Sequence, residues 1–290
     1  MSEPLISIVL PTSNGSRYIG DAIESCIHQT CQDWELLVVD DGSRDNTVEI
    51  VQVYERRDQR IRLIRHGENL LLPAAVNTGF RNARGRFFTW IADDNMYRPE
   101  ALQAMVEFLE HHPDVGIVYT DTTVIDEAGM VIKHRPSGEP DRMLLDPNPI
   151  GWCFMFRQSV WKTVGEYDPS TFLAEDYDFW LRASRQFKFA VLHRDLYMYR
   201  QQPDSLTQTR TKECRWAAAH VERKNLPYLT WPKKEDKALL YYEIASLAWR
   251  RRQYGQMIDC WLHAFCSSRR YTLVRAFHMV VRKCFRTSAK

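Results

Sequence analysis

The amino-acid sequence predicts an α/β protein, with a mostly parallel central sheet flanked by helices and then an α-helical C-terminal appendage. Three observations carry that reading. Short apolar runs rich in β-branched residues alternate with helical patterns as far as about Ser205. Beyond that point the alternation stops and only helical stripes remain. The charge divides at the same place. Residues 206–290 hold 18 Lys and Arg against 6 Asp and Glu, and residues 1–205 hold 21 against 31, behind a net charge of only +2. The expected domains are therefore 1–205 and 206–290.

The strands expected in the first domain are Ile6 to Leu10, Leu36 to Val39, Ile61 to Ile64, Phe87 to Ile91 and Val115 to Tyr119. Between the first two, Tyr18, Ile19, Ala22, Ile23 and Cys26 share one helical face. After the second, Asp45 can cap a helix carrying Val48, Ile50, Val51 and Val53. Pro99 suits the first turn of a helix bearing Leu102, Met105, Val106 and Leu109, which ends near His111, His112 and Pro113. This β-α-β succession makes a parallel sheet, whose ligands gather at the carboxyl ends of the strands. In the second domain the stripes are Leu240, Ile244, Leu247 and Ala248, then Met257, Ile258, Trp261, Leu262 and Phe265, then Leu273, Val274, Phe277, Val280 and Val281.

Composition narrows the class. At 290 residues, 44% hydrophobic and 26% charged, the chain has ordinary globular values, which exclude a disordered or fibrous protein. Its seven cysteines form no CxxC pair, which argues against a disulfide framework or a zinc ribbon and for a reducing compartment. No apolar run approaches the ~18 residues of a membrane span, and the first run is too short for a signal peptide. A cytoplasmic protein is expected.

Three strand ends carry the polar groups. The first run ends in Pro11-Thr12-Ser13-Asn14-Gly15, the second in Asp40-Asp41-Gly42-Ser43 and the fourth in Asp93-Asp94-Asn95. Four carboxylates on one sheet edge repel one another unless a cation or a shared proton relieves them, and a divalent metal is the simplest relief. Mg²⁺ and Mn²⁺ suit such a site because they retain places for water and substrate phosphates. Asp40-Asp41-Gly42-Ser43 reads either as a turn or as a carboxylate accepting from a base N–H. The chain contains no G-x-G-x-x-G and no G-x-x-x-x-G-K, which argues against dinucleotide oxidoreductases and P-loop kinases. Glu175-Asp176-Tyr177-Asp178 reads as a helix start, or as the source of a general base. His66, His193 and His278 lack ligand spacing and read as structural, as do Trp216, Trp249 and Trp261, taken as packing anchors. Arg250-Arg251-Arg252 and the basic face of the last helix suit anionic lipid head groups; nucleic acid is not expected as a partner.

Taken together, six segments resemble the family 2 glycosyltransferases with the Rossmann-like GT-A fold, including the spore-coat-polysaccharide type. They are Ser7-Ile-Val-Leu-Pro-Thr-Ser-Asn14, Trp34 to Ser43, Asn77-Thr-Gly79 with Ala83-Arg-Gly85, Asp93 to Pro99, Gly165-Glu-Tyr-Asp168 and Glu175 to Arg182. The resemblance implies that Asp41 contacts the nucleobase, with Pro11, Thr12 and Asn14 lining the nucleotide pocket. It implies Asp94 as metal ligand, Asp93 as ribose or outer partner, and Asp176 as catalytic base. Asn77 and Arg84 would flank the donor, while Gly151, Trp152 and Glu175 would shape the acceptor side. Two departures stand out. Ile91 replaces an acid common two residues before the Asp pair, and Gln202 stands where many members have a metal-binding histidine. Gln202 is then a weaker ligand than imidazole for Mn²⁺.

The implied activity is inverting, metal-dependent transfer of a single sugar from a nucleoside diphosphate sugar, by family habit a UDP-sugar. The acceptor would be a glycan or lipid carrier in cell-surface polysaccharide synthesis at the inner face of the membrane. The absence of a Q-x-x-R-W segment speaks against a processive synthase. The alternatives are a catalytically silent glycan-binding module of the same fold and a nucleotidyltransferase.

Overall fold

The structure is a computed structural model that describes residues 3–140, 150–203, 205–229, 234–269 and 272–273. The chain divides into two compact units, 1–211 and 212–290. In the first, β1 (Ile6–Thr12), β2 (Trp34–Asp40) and β3 (Ile61–Arg65) pair in parallel, and β4 (Phe87–Trp90) pairs parallel to β1 on its other side. Helices α1 (Ile19–Ile27), α2 (Thr47–Arg57) and α3 (Leu72–Arg81) connect these strands. Both β1 and β2 are buried along their whole length, as expected of strands covered on two faces.

Beyond β4 the sheet is mixed. A two-residue β5 (Met96–Tyr97), helix α4 (Ala101–His111) and the long β6 (Val115–Ile125) follow, then β7 (Val131–Arg135) and β8 (Phe154–Arg157). β8 inserts between β4 and β6, antiparallel to both. Helices α5 (Gln158–Val164) and α6 (Glu175–Ala183) precede β9 (Lys188–Arg200), which pairs parallel to β6 and antiparallel to β5. The expectation of a mostly parallel sheet therefore holds for its first half. β8 and β9 escape a reading by apolar runs because β8 is four residues long and the middle of β9 is polar. Pro99 sits two residues before α4, so it precedes the first turn instead of entering it.

One face of the sheet packs Ile6, Ile8, Leu10, Leu36 and Val38 against Ile19, Ile23, Val51, Leu102 and Met105 from α1, α2 and α4. The opposite face is aromatic. Phe80 of α3 stacks on Phe88 of β4 at 5.2 Å, and Tyr167 stacks on Phe179 of α6 at 4.6 Å. That slab fixes α6 and the Gly165–Asp168 turn against the β4–β8 edge.

In the second unit, α8 (Thr211–Asn225), α9 (Lys234–Arg250) and α10 (Tyr254–Ser267) follow a short α7 (Leu206–Thr209) that ends the first. Leu240 and Ile244 of α9 cluster with Cys260 and Ala264 of α10, Leu247 packs against them and Ala248 is buried, so the first expected stripe is core. Of the second, Met257 packs against that core while Ile258, Trp261 and Leu262 turn outward. Trp249 is 53% exposed, and Ile258, Trp261 and Leu262 are 52%, 36% and 51% exposed, so Trp249 and Trp261 are not packing anchors. The third stripe, apart from Leu273, lies outside the described residues, as do His278 and the last basic helix.

Candidate active site

Because β2, β1 and β4 are adjacent and parallel, their carboxyl ends meet on one edge. Thr12 Oγ1 donates to Asp93 Oδ2 at 2.5 Å. The β1–α1 loop closes over this pair. A Cβ on Gly15 would fall 2.2 Å from Asp93 Oδ2, so only glycine allows that approach. Burial pushes the Asp93 carboxyl up to about 7 against the Thr12 hydrogen bond, and the Asp94 charge adds to the rise. Burial also raises Asp94, here against a hydrogen bond from Gln202.

Gln202 Nε2 donates to Asp94 Oδ2 at 2.6 Å, which brings the two expected metal-binding residues together. Arg200 fastens this corner. Its backbone N–H meets Asn95 Oδ1 at 2.8 Å, its Nε meets the Asp94 carbonyl at 3.1 Å, and its Nη2 meets Asp21 at 3.0 Å. Two adjacent carboxyls, both raised by burial, with a neutral amide oxygen alongside, are a donor set that fits a hard divalent cation. They are too few for an all-protein cage, and among the described residues no group of three His, Cys, Asp or Glu side chains forms one. Such an ion would need water and substrate oxygens to complete its coordination.

On the β2 side, Asp41 is buried and its Oδ1 accepts twice, from His66 Nδ1 at 2.7 Å and from the Leu70 backbone N–H at 2.9 Å. Asn14 stitches its loop to the next one: its backbone N–H reaches Ser43 Oγ at 2.8 Å, and its Oδ1 accepts from Arg44 N at 2.9 Å. Pro11 is buried within β1. Gly42, at φ +72°, lies so close to the Glu68–Asn69 backbone that a Cβ there would clash at 2.7 Å.

Asp176 and Glu175 open α6. Trp90, at the end of β4, donates from Nε1 to the Tyr167 hydroxyl at 3.3 Å. Burial drives that phenol far above its usual range, and the charges of Asp176 and Glu175 push the same way. Tyr167 thus touches the last residue of β4 and lies within electrostatic range of Asp176 and Glu175 at the start of α6. Glu175 is buried with Oε2 unpartnered; burial and then the Asp176 charge raise its carboxyl to about 8. On the β8 side, Trp152 stacks on Tyr199 at 3.9 Å, and a Cβ on neighbouring Gly151 would fall 2.8 Å from Ser137 Oγ.

Two expected donor residues are otherwise engaged. Arg84 holds Glu35 through Nη2 at 2.7 Å and lines a separate cavity with Leu5, Asp33 and Arg157, at the start of β1. Its neighbour Gly85 packs on Ser7, and at about 3.3 Å per strand residue Ser7 is about 17 Å from Thr12. Helix α3 carries the chain from the site edge to the opposite edge before Arg84 is reached. The Asn77 amide is spent on Tyr167, donating to its carbonyl at 2.8 Å and accepting from its N–H at 2.9 Å. It braces the turn beneath the site.

Arg200, Leu70 and Tyr167 are contributors to which sequence reasoning gave no role, and His66, read there as structural, holds Asp41. His66 follows a strand end, which is a signal; Arg200 and Tyr167 act through contacts that only folding creates. His193, read as structural, bridges Asp121 at 3.1 Å and Glu139 at 3.3 Å.

The model of glycosyl transferase family 2 matches residues 7–165, which include β1, β2 and the acidic β4 tip. The chain belongs to that family. EpsJ of Bacillus subtilis, an uncharacterized glycosyltransferase, is 31% identical over 225 residues, covering 71% of this chain and 63% of that relative. The chain thus spans less than two thirds of that relative's length. In fold it is similar to TarS of S. aureus in complex with UDP-GlcNAc, with a TM-score of 0.68 at 16% identity over 90% of this chain and 81% of that one. The mannosyltransferase PcManGT of Pyrobaculum calidifontis, in complex with GDP-Man and Mn²⁺, gives a TM-score of 0.63 at 14% identity over 99% of this chain and 83% of that one. This family 2 glycosyltransferase is therefore an enzyme of the GT-A fold, with C-terminal helices.

Proposed function

We propose that this glycosyltransferase moves one sugar from a nucleoside diphosphate sugar to a hydroxyl of a glycan or lipid-linked acceptor, with inversion. The observation that carries the proposal is the Trp90–Tyr167 contact, since Trp90 ends β4 just before the acidic pair and Tyr167 feels the charges of Asp176 and Glu175. Asp176 takes the proton of the acceptor hydroxyl as its oxygen bonds to the anomeric carbon. The bond from that carbon to the diphosphate oxygen breaks, and its electron pair leaves with the nucleoside diphosphate. One displacement with one base inverts the centre. Asp41 holds the base edge, Thr12 and Asp93 the ribose side, and Asp94 with Gln202 the cation. Mn²⁺ or Mg²⁺ held by these residues would supply positive charge to the leaving diphosphate, worth several kcal/mol. The nucleotide sugars and Mn²⁺ named with the two structural neighbours support a donor and cofactor of these classes.

Cell-surface polysaccharide synthesis at the cytoplasmic face of a membrane is the setting we propose. Among the described residues no helix is long and apolar enough to cross a membrane. On α10, however, Tyr254, Ile258, Trp261 and Leu262 form an exposed stripe with Arg250, Arg251 and Arg252 just before it, the composition of a helix that lies on an anionic bilayer.

The test is release of nucleoside diphosphate from a panel of sugar nucleotides with Mn²⁺ and candidate acceptors. Turnover by the natural chain that is lost in Asp94→Ala and Asp176→Asn supports the proposal. Tight donor binding without turnover on any acceptor would make it a silent module, and pyrophosphate release would make it a nucleotidyltransferase.

A further inference from the structure

Asp41 is a buried carboxylate with an uneven set of partners. His66 Nδ1 and Leu70 N–H both occupy Oδ1, at 2.7 and 2.9 Å, while Oδ2 has no partner among the described residues. His66 is itself held from behind, its Nε2 lying 3.0 Å from Thr78 Oγ1 on α3. A carboxylate only accepts, so Nδ1 is the donor in its contact with Asp41, and the Thr78 hydroxyl can meet Nε2 in either role. The segment that supplies the second donor is also constrained. Leu71 adopts φ +73°, a strained geometry for a bulky residue, and its N–H is held by Asn69 Oδ1 at 3.0 Å. Leu70 and Leu71 are 47% and 45% exposed, so the segment that donates to Asp41 also carries exposed apolar side chains.

We infer that His66 is a positioning residue for nucleobase recognition, pinning Asp41 so that Oδ2 is a fixed, acceptor-only group. This rests on the reading of Asp41 as the base contact and adds a selectivity to it. An acceptor-only oxygen takes a ring N–H, as uracil, thymine and guanine present on their pairing edge. It repels the ring-nitrogen lone pair that cytosine and adenine present there. Freed from His66, the carboxylate can turn, and the distinction between the two classes fades.

The experiment is calorimetric titration of the full chain with UDP, GDP, CDP and ADP in Mn²⁺, for the natural protein, His66→Leu, His66→Asn and Asp41→Asn, with thermal melts to confirm folding. The natural protein should bind UDP or GDP at least about tenfold more tightly than CDP and ADP. His66→Leu, which removes one hydrogen bond to a charged group, should weaken that nucleotide by about 10- to 100-fold and compress the ratio toward one. His66→Asn, whose amide can still donate to Oδ1, should restore the ratio. If Asp41→Asn weakens binding while His66→Leu changes neither affinity nor ratio by more than about twofold, the inference is overturned and the base site stands. If Asp41→Asn binds every nucleotide as the natural protein does, the base-site reading falls and takes the inference with it.

Discussion

Gln202 and Asp94, 108 residues apart in sequence, meet through a 2.6 Å hydrogen bond from the Gln202 amide to Asp94 Oδ2. The contact requires β9 to return its last residues to the β4 tip, and Arg200 secures the return through the Asp94 carbonyl. Removing the amide in Gln202→Ala should weaken Mn²⁺ activation by about 10- to 100-fold, the usual effect of losing a group that orients a metal ligand. Gln202→His should strengthen it, since imidazole binds Mn²⁺ better than a neutral amide oxygen does. Turnover measured against Mn²⁺ concentration checks both, and equal activation of all three proteins would remove Gln202 from the metal site.

Asp176→Asn should separate chemistry from binding. Loss of a positioned base lowers turnover by about 10²–10⁴. Nucleoside diphosphate affinity should stay as it was, because the proposed base acts on the acceptor hydroxyl and not on the nucleotide. Single-turnover rates beside calorimetry give the two numbers.

Asn77→Ala should act on stability and not on the donor. The substitution strands the N–H and C=O of Tyr167, at about 1–3 kcal/mol for each buried group left unpaired. The melting temperature should fall while UDP affinity holds. A loss of affinity in a protein that melts normally would return Asn77 to the nucleotide pocket.

Glu175 gives the fold a pH dependence. Burial, helped by the Asp176 charge, raises its carboxyl from 4.5 to about 8. Over that interval the folded chain keeps a proton that the unfolded chain has released. The contribution to stability is complete below about 4.5 and disappears as pH climbs through about 8. Melting temperatures across that range should decline in the natural protein and decline less in Glu175→Gln. Parallel curves would show that Glu175 is not the group responsible.

The α10 stripe should matter only where lipid is present. Ile258→Glu with Leu262→Glu, both at exposed positions, should leave the melting temperature unchanged and abolish co-sedimentation with vesicles rich in phosphatidylglycerol. Vesicles of phosphatidylcholine alone should bind neither protein, and salt should weaken binding by the natural chain. A drop in stability in the double variant would mean that other protein covers this face.

Much of the site could be read directly from the chain. Thr12, Asp41, Asp93 and Asp94 follow apolar runs, and parallel strands bring such ends to one edge whatever the loops between them do. Arg84 and Asn77 show where that reasoning fails. Both lie on or just after α3, whose length decides which edge of the sheet each residue faces, and a motif's order in sequence carries no such information. β8 and β9 were hidden for a related reason: an antiparallel strand slotted between two others draws its stability from neighbours, not from its own hydrophobic pattern.

Alternating apolar runs and acidic strand ends, both local properties of the chain, were enough to specify an α/β sheet with carboxylates on one edge and a basic helical region after it. Folding alone decided the rest: Gln202 against Asp94, His66 behind Asp41, Tyr167 against Trp90, and Arg84 at the far edge. Each of these depends on hydrogen bonds or charges within a few ångströms, between residues that only the packing of helices on the sheet brings into contact.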